Sequence, residues 1–465
     1  MEFWVPINQS FTAVYYFIFN PGISHIPKTF IPTSYYAGDT LFFAHLSKTK
    51  NKTWGDWFDR IVVQKVVDPI NWVEKSYSVG YNNGKMQDKP WISSDAQGNV
   101  YVTWTEFDTY GSKDPKDRSR IRFSKYTPEI DSFSSPVTIS DLTGNCLDSD
   151  STLEGATLCI GKQGKLYAIW AGFHKIWMDV STDGGKTWGK DIVVANQGEG
   201  WDLDKPNISR SNGMPFSIYN STKDKVQICY TDNSKVKLIN IGPEKKSNAT
   251  EIPQFVSKNT FGHQYFPNMV YDSASGKSYI VYFDTRNSKN NAFYDIYLTE
   301  VGQNNISTDI RITPNSIPLP GDKFFFGDYI DLDIQDSKLA IIYPVYDLNL
   351  KSSIELYLLE NVNAIDQLTK TSKHFVPKTQ VNAIQKNDSI YIYANAYINC
   401  NVKCKVARKR GLFTRTYRYK GSISTQGKAD ETLLGIAPIS EYKYFKYKVK
   451  NLNTKEVSSR SIFIQ

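Results

Sequence analysis

Charged, phenolic and aromatic side chains recur at one phase of this chain, where a strand that opens a repeat begins. Asp88 and Lys89 stand there with Trp91 close behind, then Glu154, Asp202 with Lys205, His263 with Tyr265, and Asp328 with Tyr329. A second set follows the next strand of each repeat: Glu106, Asp108, Asp232, Asp284, Arg286 and Asp347. Brought onto one rim, carboxylates, phenols and cations could hold a polar ligand or pass protons to it. The competing reading is that they make rim salt bridges and turn contacts.

Convergence requires a repeating scaffold, and the sequence has one. An apolar strand, a turn and an aromatic-rich strand recur in Phe30–Leu46, Lys89–Thr105, Gly155–Ala171, Lys205–Thr231, Tyr265–Phe283 and Phe326–Val345. Their central turns hold Gly38, Gly98, Gly164, Asp224, Gly276 and Ser337, about 60 residues apart. A third strand follows each copy, as in Arg60–Gln64 and Ile176–Val180, and most have a fourth, as in Val137–Ser140, Asp191–Ala195 and Asp309–Thr313. A short sheet that is apolar on both faces cannot be stable alone. Six of them stacked around an axis make a β-propeller. Aromatic residues are 14% of the chain, which favours strands over helices.

Residues 181–188, Ser-Thr-Asp-Gly-Gly-Lys-Thr-Trp, lie between two such strands in the third repeat. Asp183 can accept from backbone N–H groups of its own turn, and Gly184 and Gly185 permit positive φ. Ser181 and Thr187 can bond across the turn, and Trp188 can bury its ring beneath it. The first and second repeats keep fragments of this turn, Asp68 with Trp72 and Ser124 with Phe133.

The predicted organisation is all-β. Residues 1–28 form an N-terminal extension that could supply a ring-closing strand, 29–375 the six-bladed propeller, and 376–465 a small sandwich of the immunoglobulin or fibronectin kind. Cys146 and Cys159 are close enough in sequence to pair, as are Cys400 and Cys404, which leaves Cys229 buried. The net charge of +8 is spread along the chain, and the basic C-terminal residues read as a solvated strand face, so no nucleic-acid partner is expected. No run of 18 apolar residues exists, so no transmembrane helix is expected. Met1 to Asn20 lacks the basic start and small-residue cleavage site of a signal peptide. No cofactor is expected. No metal site is expected either, because His263 has no second His or Cys at ligand spacing.

The 181–188 turn fits S-x-D-x-G-x-T-W at each fixed position and resembles the Asp-box of sialidases, with Ser181, Asp183, Gly185, Thr187 and Trp188 as its structural residues. Phe58–Lys65, Gln87–Trp91, Val102–Asp108, Leu153–Ala156, Gly200–Asp202, Arg210–Pro215 and Phe326–Tyr329 are similar to exported bacterial sialidase-family proteins, best represented in the Bacteroidota. The resemblance spans residues 40 to 347 and excludes the C-terminal module. It implies a six-bladed sialidase-like propeller on a secreted or cell-surface protein. A sialidase holds its substrate carboxylate with three arginines and attacks with a tyrosine assisted by a glutamate, while an aspartate serves as acid/base. Carried over, this makes Tyr329 or Asp328 the nucleophile, Asp88 or Glu106 the acid/base, and Arg210 and Arg286 clamps. In the family's Arg-Ile-Pro motif, however, this chain has Phe30-Ile31-Pro32, and Phe cannot make the bidentate contact. The expected function is therefore a non-catalytic module that binds a glycan or protein partner at the propeller face, its C-terminal domain attaching it to a surface or another subunit. The alternatives are an exo-sialidase-type hydrolase and a structural subunit of a surface assembly.

Overall fold

The computed structural model describes residues 33–362 apart from 38–39, 49–57, 67–74, 201–206, 209–212, 243–251, 260, 289–290, 304, 308, 320–328, 347–351 and 360, and beyond these the backbone of seven strands between 380 and 463. Six antiparallel sheets follow one another along the chain, each in simple up-and-down order from its inner strand outward. Their inner strands are Thr33–Ala37, Met86–Ser94, Glu154–Ile160, Phe216–Asn220, Gln264–Asp272 and Asp331–Gln335. Five of the six predicted residues are in the central turns, and the sixth, Gly38, lies outside the described residues. Gly98, Gly164, Asp224, Gly276 and Ser337 all have positive φ, the conformation a tight strand reversal demands.

What holds the sheets together is burial on both faces. Every residue is buried in Val100–Phe107 of blade two, Leu166–Gly172 of blade three and Phe293–Val301 of blade five. Among the described residues the buried apolar side chains form five clusters, and each joins one blade to the next. Trp104 and Phe42 share the cluster between blades one and two, and Trp170 and Phe123 that between two and three. Tyr167 and Tyr230 share the next, Cys229 and Tyr282 the fourth, and Tyr294 and Leu339 the last. Hydrogen bonds cross the same seams near the axis. Ser93 donates to the Leu158 carbonyl at 2.7 Å, Thr157 to that of Pro215 at 3.2 Å, and Asn268 to that of Ile330 at 2.9 Å. Six consecutive sheets stacked in this way make a six-bladed β-propeller.

Among the described residues, two contacts cross the axis rather than a seam. The Trp91 ring of blade two meets Phe216 of blade four edge-on at 5.0 Å, and the Lys89 ammonium of blade two lies 5.9 Å from the ring centre of Tyr329, which leads into blade six. Inner-strand starts from well-separated blades thus face a common centre. The ring-closing strand expected from residues 1–28 lies outside the described residues, as do both proposed domain boundaries. Beyond residue 380, one sheet has three strands and the other four, all antiparallel. Cys146 and Cys159 are buried free thiols in different seams, although their spacing would permit a disulfide. Burial pushes the Cys159 thiol up to about 12, which leaves it unreactive.

The turn at 181–188 staples the outer edge of blade three between strands Lys175–Ser181 and Ile192–Asn196. Asp183 accepts from the Thr187 N–H at 2.9 Å, the Thr187 hydroxyl at 2.6 Å and Ser181 at 2.9 Å, and Ser181 in turn accepts from the Gly185 N–H at 2.8 Å. Trp188 packs edge-on against Phe123 of the preceding blade at 5.0 Å. Phe133 of blade two repeats this contact, meeting Tyr77 of blade one at 5.3 Å. The tie at Asp68 and Trp72 lies outside the described residues.

Beside the turn, the Asp141 and Asp191 carboxylates each accept the other residue's backbone N–H between blades two and three, and Asp179 is buried next to them. The Asp183 carboxyl is held down to about 2, first by the Thr187 hydroxyl. Burial pushes Asp179 up to about 7, with the Asp191 charge adding to the rise. The signs are opposite. The Asp183 contribution is complete above the unfolded value near 4 and fades toward pH 2, whereas the Asp179 contribution is complete below that value and is lost as pH rises through 7. Denaturant titrations should therefore show Asp183→Asn less stable than the parent at pH 6, with the gap closing in acid. Asp179→Asn should gain stability relative to the parent as pH rises from 5 to 8. Trp188→Ala should cost about 2–3 kcal/mol by the same measurement.

Candidate functional site

The rim where inner strands begin is shaped by one device used three times. Between Asp88 and Trp91, Glu154 and Thr157, and Tyr265 and Asn268, the inner strand carries one extra residue relative to its neighbour, a β-bulge. The residue after the first of each pair has positive φ: Lys89 at 51°, Gly155 at 69° and Phe266 at 49°. Such a conformation is costly for Lys and Phe, so the surrounding structure must impose it. Proline follows at 90 and 267 and discourages the right-handed helical alternative in the residue before it. At the third site only glycine fits. A Cβ on Gly155 would sit 2.0 Å from Cγ of Met214 in the next blade. Bulges re-aim the side chains around them, and here they lie at the mouth of the axis.

Lys89 is only 3% exposed, yet it reaches the far side of the mouth at Tyr329. Its own N–H donates to Asp88 Oδ1 at 2.8 Å. Glu154 is fully buried at the next bulge. Tyr110, in the loop after blade two's second strand, donates its hydroxyl to Asp148 at 2.7 Å. Burial and Asp148 push the Tyr110 pKa far above its usual value, with Glu154 and Asp88 adding to the rise, so this phenol stays protonated. The mouth therefore combines an ammonium group, a group of carboxylates and the aromatic rings of Trp91, Phe216 and Tyr329. Tyr110, Asp148 and Phe216 are absent from the sequence-derived candidates. The long stretch between Phe107 and Ser119 is the one signal that could have drawn attention to Tyr110.

Other candidates gather elsewhere on the rim. Glu106 accepts from Arg120 at 3.0 Å, Asn82 at 3.0 Å and Gln87 at 3.3 Å, and Arg120 also holds Asp108 with a two-pronged grip at 2.8 and 2.9 Å. Burial opposes the charge on Asp108, but Arg120 and Lys85 outweigh it and hold its pKa well below the carboxylate range. In blade five, Arg286 donates to Asp284 at 2.6 and 2.8 Å, to Asp309, and to Ser257 at 3.1 Å, while its guanidinium lies 3.8 Å from the Tyr297 ring centre. Burial alone would lower the Arg286 pKa; Asp284 and its neighbours raise it well beyond the usual value. Tyr265 is fully buried at its bulge, where burial and then Asp284 keep the phenol protonated. The half-buried His263 is tied through its backbone to Thr285, at 2.9 and 3.0 Å. Asp202, Lys205, Arg210, Asp328 and the Phe30 position lie outside the described residues. Among the described residues, no group of three or more His, Cys, Asp or Glu side chains could hold a metal ion, and no helix is long and apolar enough to cross a membrane.

The class defined by sheets, seams and axis is a six-bladed β-propeller. The chain matches no protein-family model and no curated protein. Among solved structures it is similar to a Trypanosoma rangeli sialidase in complex with sialic acid, at 11% identity and a TM-score of 0.44 over 93% of this chain and 84% of that one. It is also similar to a protein of unknown function from Dyadobacter fermentans, at 11% identity and a TM-score of 0.47 over 70% of this chain and 93% of that one. A variant of the NanB sialidase from Streptococcus pneumoniae is similar at 10% identity and a TM-score of 0.47, over 74% of this chain and 70% of that one. With scores of this size, the fold assignment rests on the sheets and seams described above.

Two substitutions separate structural from ligand-facing roles. Arg286→Ala leaves Asp284 and Asp309 buried without their cation and should cost about 3–5 kcal/mol of stability in chemical denaturation. Gly155→Ala should cost about 1–3 kcal/mol, and a second change, Met214→Ala, should restore part of that loss.

Proposed function

We propose that this chain is a sialidase-like propeller acting as a non-catalytic glycan-binding module on an exported or surface-displayed protein, with its ligand at the mouth of the axis. The observation that carries this reading is the meeting of Lys89, Trp91, Phe216 and Tyr329 from blades two, four and six. A cation, carboxylates and aromatic faces suit a hydroxyl-rich ligand. Two further features favour binding over hydrolysis. Arg120, Arg286 and Arg311 are each engaged by carboxylates of their own blades, which leaves these three committed to structure rather than to a substrate carboxylate. The Tyr110 hydroxyl is likewise taken up by a carboxylate, donating to Asp148 at 2.7 Å. In this reading the 181–188 turn is an Asp-box, a peripheral staple remote from the ligand.

A glycan array probed with the full chain tests the proposal. Lys89→Ala and Trp91→Ala, each assayed well below its own melting temperature because both side chains are packed into the mouth, should weaken binding to the best glycan by about tenfold or more, and a fluorogenic sialoside should not be turned over. Sialoside turnover that disappears in Tyr329→Phe would replace this reading with the hydrolase. A failure to bind any glycan, together with co-elution in a large complex from the native source, would replace it with the structural subunit.

A further inference from the structure

Away from the mouth, at the outer edge between blades four and five, lies a cleft of about 580 Å³. That volume falls within the usual range for small-ligand sites, about 300–1,000 Å³. Blade four contributes Lys223 and Lys225 from its central turn and Gln254 and Phe255 from its short outer strand, with Lys258 just beyond. Blade five closes the other side with Val301, Asn305 and Ile306. The cleft sits where second strands begin and third strands end, so it faces the opposite side of the ring from Lys89 and Trp91.

The lining has an unusual chemical balance. Three lysines face it and none of its lining residues is acidic. Lys223 donates to the Gly302 carbonyl at 2.8 Å and is thereby fixed. Among the described residues, neither Lys225 nor Lys258 has an ion-pair partner. Burial and then the neighbouring Lys225 charge lower the Lys223 pKa. Beside them the Phe255 ring is 59% exposed on an edge strand of only two residues, with the Lys237 ammonium 5.3 Å from its centre. Primary amides from Gln254 and Asn305 complete the wall, and each offers both a donor and an acceptor.

We propose that this cleft is a second binding site, independent of the axial mouth, for a short anionic oligosaccharide bearing carboxylate or sulfate groups. Lysine ammonium groups neutralise the anionic substituents. The side-chain amides match the paired donor and acceptor of sugar hydroxyls, and the exposed phenyl face receives the apolar face of a pyranose ring. An acidic peptide would use the lysines equally well but would have no comparable need for Phe255. That difference makes the two ligands separable.

The full-length chain is titrated by calorimetry with a chondroitin sulfate tetrasaccharide and, separately, with an oligoglutamate peptide of equal charge. The tetrasaccharide should bind. Binding should fall by about tenfold or more in the Lys225→Ala/Lys258→Ala double variant and also in Phe255→Ala, and it should be unchanged in Lys89→Ala and Trp91→Ala. All of these positions except Lys89 and Trp91 are solvent-exposed, so unaltered melting temperatures should accompany the losses at the cleft. Equal loss of both probes in the lysine variant with no effect of Phe255→Ala would overturn the saccharide assignment in favour of an acidic protein segment. No binding of the tetrasaccharide, or binding insensitive to the lysines, would overturn the site itself. Loss of binding in Lys89→Ala would overturn its independence from the mouth.

Discussion

Everything in this molecule depends on burying both faces of small sheets that have no other way to be buried. A strand such as Val100–Phe107 of blade two, with every residue inaccessible, has no solvent face to offer, and its sheet is stable only between neighbours. The seams meet that need with large interlocking rings: Trp104, Trp170, Tyr230 and Tyr282 are all fully buried in them. Because stacking is radial, the same requirement carries the start of each inner strand to the axis. The candidate site is a by-product of how the sheets are covered.

Some of the backbone strain falls where that by-product is used. A left-handed Lys89 and a left-handed Phe266 each cost about 1–3 kcal/mol, and the fold retains both. The bulges they form interrupt a ladder that is otherwise regular and turn neighbouring side chains toward the centre of the ring. Their recurrence at the same register in blades two, three and five shows one structural solution repeated with different residues: Asp-Lys-Pro, Glu-Gly-Ala and Tyr-Phe-Pro.

Charges on the rim divide into two kinds. Arg120 with Glu106 and Asp108, and Arg286 with Asp284 and Asp309, are closed networks in which each charge answers another in its own blade. They hold loops in place and offset the cost of their own burial. Lys89 differs in reach, since its head lies 5.9 Å from the centre of an aromatic ring on a distant blade. The lysines of the outer cleft also look outward, from a part of the ring where the blades diverge and their edges are left uncovered. Residue type alone would place Arg286 and Lys89 in the same class.

The repeat was readable from the chain because it is a local property. Strand, turn and strand recur at a fixed interval, and the turn residues at Gly98, Gly164, Asp224, Gly276 and Ser337 have the conformational freedom or side chains that tight reversals need. The staple at 181–188 was readable for the same reason, since its hydrogen bonds join residues at most four apart. Which rim residues meet was not local. Trp91 finds Phe216, and Tyr110 finds Asp148, only after the sheets have stacked and the bulges have set their direction. Composition and spacing determined six two-faced sheets and the corners that tie them. Tertiary packing decided which charges brace loops within one blade and which are turned toward the axis, because these contacts depend on distances that arise only when one blade leans on the next.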